Sequence, residues 1–69
     1  MQALLTQREA ARALRLSERT LERLRVAGYG PRFVRAGRLV RYREGDLEAW
    51  VASRLVTSTS QTQTSEQTR

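Results

Sequence analysis

"LRLSERTLERLRVAG", residues 14–28, decides the fold. Thr20, Leu21, Leu24 and Ala27 recur at helical spacing, which predicts the inner face of a helix. Ser17 stands where that helix needs an N-cap. Gly28 suits its C-terminal cap, and the following "GYGP", residues 28–31, forbids continuation. Arginines occupy positions 15, 19, 23 and 25, and Arg12 lies just ahead. A helix that only packs has no need of so much positive charge.

A second helix is legible upstream. "TQRE", residues 6–9, places Thr6 three residues before Glu9, the spacing of a capping box. Ala10, Ala11 and Leu14 form its inner stripe, with Leu5 packing ahead of the cap. Only Arg15 and Leu16 separate the two periodic patterns, so the pair reads as a tight helix-turn-helix.

Downstream, "RFVRAGRLVRY", residues 32–42, reads as a β-hairpin turning at Ala36-Gly37. A three-residue loop with a bulge at Gly37 is the other way to close it. With a two-residue turn, Phe33 faces Val40 and Tyr42 shares their side. Val34 then faces Leu39 on the other side. A third helix follows, with Asp46 as its early acidic residue and Leu47, Trp50, Val51 and Leu55 as its inner stripe. Trp50 at that spacing reads as a core residue.

Composition narrows the function. The chain has 69 residues, a net charge of +6 and a pI near 11.5. All thirteen basic residues are arginine. Codon bias in a GC-rich genome is the plain reading of the missing lysine, yet arginine forks still match phosphate and the guanine edge. There is no cysteine and no histidine, so the commonest general base and the commonest metal ligands are missing. No catalytic residue, metal or cofactor is expected. No apolar run is long enough for a bilayer and the N-terminus lacks a signal pattern, which implies a cytoplasmic setting without membrane contact. After Val56 the stretch "TSTSQTQTSEQTR" holds no apolar residue. We therefore expect one folded unit, residues 1–56, and a disordered polar tail, residues 57–69.

The charge then points to nucleic acid. Arg19 and Arg23 lie one turn apart, opposite the leucines, with Glu22 between them and Glu18 and Arg25 on the flank. Ion pairs on a solvated face would be the plain explanation. In a helix-turn-helix, however, the second helix enters the major groove. Ser17, Arg19, Thr20 and Arg23 are then in reach of DNA, although Thr20 can also turn inward. On the hairpin, Arg35 and Arg38 flank the tip around Gly37, and Arg41 lies near the base. A charged hairpin can simply guard a sheet edge. It can also act as a wing on phosphates or in the minor groove.

The pieces "LLTQREAA", "LSERTLERLR", "GPRFVRAGRLVRY" and "DLEAWV" together resemble the excisionase-type helix-turn-helix proteins, relatives of the MerR-like superfamily. The resemblance runs from residue 4 to about residue 54. It implies a mainly α fold with a small β-hairpin, a winged helix-turn-helix. Its recognition helix would run from Ser17 to Ala27 and its wing tip would be Arg35–Arg38. Phage members are recombination directionality factors. They bind attachment-site DNA in adjacent copies, bend it and steer a phage integrase toward excision, without catalysis. Such a protein would work near the nucleoid of a bacterial host. Small phage and plasmid transcription regulators share the signature and give the alternative role. The sequence lacks the coiled coil and effector domain of longer MerR-like activators, so no small-molecule effector is expected. A third possibility is a protein-binding adaptor whose basic face meets an acidic partner. Val34 and Leu39, on the hairpin face away from Phe33, are either ordinary exposed apolar surface or a contact between copies on DNA.

Overall fold

The computed structural model describes residues 3–56; the tail expectation for residues 57–69 lies outside the described residues. Three helices and three short strands follow in the order β1 (Leu5–Thr6), α1 (Gln7–Leu14), α2 (Glu18–Ala27), β2 (Val34–Ala36), β3 (Leu39–Tyr42) and α3 (Glu44–Ser53).

Helix α1 opens with the expected capping box. The Thr6 hydroxyl accepts from the Glu9 amide at 3.1 Å, and the Thr6 amide donates to Glu9 Oε1 at 2.9 Å. It ends on a Schellman-type turn, in which the Leu16 amide reaches back to the Ala11 carbonyl at 2.9 Å. The residue at the turn is Arg15, held at φ 61°, a conformation glycine usually supplies. Helix α2 repeats the scheme. Ser17 Oγ caps the Thr20 amide at 3.0 Å, and the Tyr29 amide reaches the Leu24 carbonyl at 2.9 Å across Gly28 at φ 84°.

The hairpin is present, but its turn lies one residue later than expected. Val34 pairs with Arg41, Arg35 with Val40 and Ala36 with Leu39, so Gly37 and Arg38 make the turn. Gly37 has φ 63° and Arg38 has no positive φ. This is the pattern of a type II′ turn, which wants glycine first and suits strand twist. The partner of each residue therefore shifts by two. Because side chains alternate with period two, both faces survive the correction. Phe33, Val40 and Tyr42 stay on one side, with the Phe33 and Tyr42 rings 6.3 Å apart. Val34 and Leu39 stay on the other.

Strand β1 was not expected. Leu5 pairs with Tyr42 and Thr6 with Arg41, giving an antiparallel sheet of order β1-β3-β2. The core is Ala10, Ala11, Leu21, Tyr42 and Leu47, with Leu5, Leu14 and Val40 packed around it. The alanines of α1 let α2 approach closely.

Two inner stripes are narrower than the sequence suggested. Ala27 is exposed, because it sits roughly 120° around α2 from Leu21. Val51 and Leu55 are 48% and 74% exposed. Helix α3 ends at Ser53, so Leu55 lies beyond the helix. Trp50 is half-buried, and its indole Nε1 donates to the Tyr29 carbonyl at 2.8 Å. At the start of α3, Arg43 grips Asp46 with two bonds of 2.7 and 3.0 Å.

Candidate nucleic-acid interface

Helix α2 is seated by Leu21 and turns a continuous stripe outward. Arg19, Glu22, Arg23, Val26 and Ala27 line one shallow open depression along it. Among the described residues, neither Arg19 nor Arg23 forms a salt bridge, and Glu22 pairs with neither of them. The ion pairs that would have explained the stripe as a solvated face are not made. The two forks remain available to an anionic or acceptor-rich ligand.

Ser17 and Thr20 are occupied differently. The Ser17 hydroxyl accepts from the Thr20 amide and donates to Thr20 Oγ1 at 2.9 Å. Thr20 is half-buried and faces its cap rather than the stripe. Ser17 is exposed at the helix N-terminus, where backbone N–H groups favour phosphate.

The wing carries its charge in three settings. Arg38 is exposed in the turn beside Gly37. Arg35 projects on the Phe33 side, with its guanidinium 5.8 Å from that ring. Arg41 is half-buried on the opposite face, and its Nη1 donates to the Val40 carbonyl at 2.9 Å. Val34 is half-buried and Leu39 is 55% exposed on that same face.

The chain matches the model of a helix-turn-helix domain over residues 4–55. The chain belongs to the helix-turn-helix domain family. With three helices and an antiparallel wing, it is a winged helix-turn-helix, and its family is one of DNA-binding domains. No curated protein matches the chain. Among the described residues of this helix-turn-helix domain, no helix is long and apolar enough to cross a membrane, and no acidic cluster suits a metal.

Three residues of the helix-turn-helix domain do work that the sequence reading did not assign. Arg25, placed on the flank of α2, is half-buried and donates through Nη1 to Gln7 Oε1 on α1. Its guanidinium also lies over the Phe33 ring. Arg8 meets Glu18 at 3.4 Å, bridging the two helices of the motif. Arg54 lies 5.3 Å over Trp50 and donates to the Tyr29 carbonyl that Trp50 also uses. Arg25 had one legible signal, since it falls one turn after Leu21 on the buried side.

Proposed function

We propose that this protein is a phage excisionase, a recombination directionality factor that binds attachment-site DNA in adjacent copies, bends it and directs an integrase toward excision. The observation that supports DNA binding is the Arg19–Arg23 stripe of α2, without salt bridges among the described residues, followed in the chain by a wing with Arg38 at its tip; the excisionase role rests on the sequence resemblance. Arg19 and Arg23 enter the major groove and read base edges, while Ser17 at the helix start and Arg38 at the wing tip hold phosphates beside it; Arg35 and Arg41 add positive charge on the two opposite faces of the wing. Gly37 lets the wing tip come close. Thr20 acts through the cap it shares with Ser17.

One domain of this size makes few base contacts, so neighbouring copies support each other. The outer wing face, with Val34 and Leu39, meets the next copy head-to-tail. Such a contact does not close on itself, so it propagates along the duplex. The protein is a monomer in free solution and needs neither cofactor nor effector.

The test is footprinting on DNA flanking the encoding gene, followed by an excision assay with the adjacent integrase. Protection of repeated sites beside a recombination site, with excision stimulated, is expected. Protection confined to a promoter, with excision unaffected, would instead make it a small transcription regulator. The double change Val34→Ser, Leu39→Ser is expected to keep single-site binding and to lose cooperativity across adjacent sites.

A further inference from the structure

Val26 is the most exposed large hydrophobic among the described residues. It is 77% exposed on α2, while Leu21 is buried in the core and Leu24 is half-buried. A β-branched side chain also lowers helix propensity, so Val26 favours neither the packing nor the helix. It lies at the end of the stripe formed by Arg19, Glu22, Arg23 and Ala27, three positions after Arg23.

The chemistry of the stripe matches the floor of a major groove better than a phosphate ridge. Glu22 stands among the arginines, and a carboxylate is repelled by phosphate but accepts from the cytosine amino group. Arginine forks suit the O6 and N7 acceptors of guanine. The one apolar group that a base pair offers in this groove is the thymine C5 methyl. Three residues of helix advance about 4.5 Å, and successive base pairs are about 3.4 Å apart. Arg23 and Val26 therefore span one to two base-pair steps.

We infer that Val26 is a specificity-determining residue that packs on a thymine methyl within about two base pairs of a guanine read by Arg23. The inference rests on the proposed DNA reading by α2 and adds the base it selects. The apolar end of the stripe rejects positions where no methyl fills it.

The test starts by selecting duplexes from a random library with the full chain. Each thymine of the selected site is then replaced in turn by deoxyuridine, which removes only the methyl. Wild type is expected to lose about fourfold in affinity at one thymine near a guanine, the worth of one buried methyl-sized group. Val26→Ala, which keeps a strong helix former at that position, is expected to bind the thymine and uridine duplexes equally. Equal uridine sensitivity in both proteins, or no sensitivity at any thymine, would overturn the assignment of Val26. A selected site without thymine would do the same while leaving DNA reading by Arg23 intact. Failure to select any sequence would overturn base reading by α2, and the role of Val26 with it.

Discussion

The guanidinium of Arg25 lies 5.9 Å from the centre of the Phe33 ring, so α2 and the wing share one aromatic contact. Arg35 reaches the same ring from the wing itself, and Arg25 is in turn held by Gln7 of α1. The three elements that surround the candidate interface are thereby set relative to one another. Arg25→Ala is expected to cost about 1–2 kcal/mol of stability, through the lost cation–π contact and hydrogen bond. Arg19→Ala removes the same charge from a position that has no salt bridge among the described residues and should stay within about 0.5 kcal/mol. Urea unfolding of the two variants checks the contrast. Equal losses would mean that the Arg25 contacts carry no weight.

Arg15 closes α1 at φ 61°, where an L-residue other than asparagine or aspartate is uncommon. Glycine adopts this conformation without a Cβ clash, although it gives the unfolded chain more freedom. Arg15→Gly is expected to stabilise the domain by about 0.5–1 kcal/mol, read as a rise in Tm. A fall in Tm would show that the Arg15 side chain contributes more than its backbone costs.

Tyr42 is fully buried, and among the described residues its hydroxyl has no hydrogen-bond partner. A buried unpaired hydroxyl costs free energy that a phenyl ring of the same shape does not. Tyr42→Phe should therefore leave stability unchanged or raise it by up to about 1 kcal/mol. Chemical denaturation with an unchanged m-value would confirm it. A loss above about 1 kcal/mol would show that the hydroxyl is satisfied in solution.

The hydrogen bonds from Arg43 hold the Asp46 carboxyl below its usual pKa, with smaller help from the charges of Arg43 and Arg32 against a desolvation that opposes them. A carboxylate depressed in the folded state contributes stability above its unfolded pKa, about 3.9. That contribution is lost as pH falls through the lower folded value. Arg43 is raised by the same partner and stays charged across this range. Wild type is expected to lose stability below about pH 4 more steeply than Asp46→Asn. Thermal melts between acid and neutral pH check this, and parallel curves would contradict it.

Much of the fold was legible because its signals are local. Thr6 with Glu9, Ser17 with Thr20, and Gly28 each act within one helical turn, and the sequence spacing alone identifies them. The hairpin faces were legible although its turn was not, since a two-residue change of partner preserves alternation. Strand β1 was hidden because two residues carry no periodicity; Leu5 and Thr6 become a strand only against Tyr42 and Arg41. The roles of Arg25 and Arg54 were hidden for a related reason. Their partners Phe33 and Tyr29 lie in the connection between α2 and β2, and a charged side chain on a helix or at its end reads first as solvated. At the interface, the sequence leaves open whether Glu22 pairs with Arg19 or Arg23, because all three are exposed on one helix face; among the described residues it pairs with neither.

The exposed arginines of α2 and the wing are expected to engage duplex DNA. The most direct measurement is fluorescence anisotropy of the full chain on a labelled duplex between about 50 and 200 mM salt, with wild type, Arg23→Ala and Arg38→Ala side by side. Wild type should weaken linearly on a log–log plot, and Arg38→Ala should flatten the slope by about one phosphate contact. Arg23→Ala should lose about 1–3 kcal/mol on the preferred sequence and far less on random duplex. Duplex binding that is absent, or indifferent to salt and to both substitutions, would rule out DNA binding through these arginines.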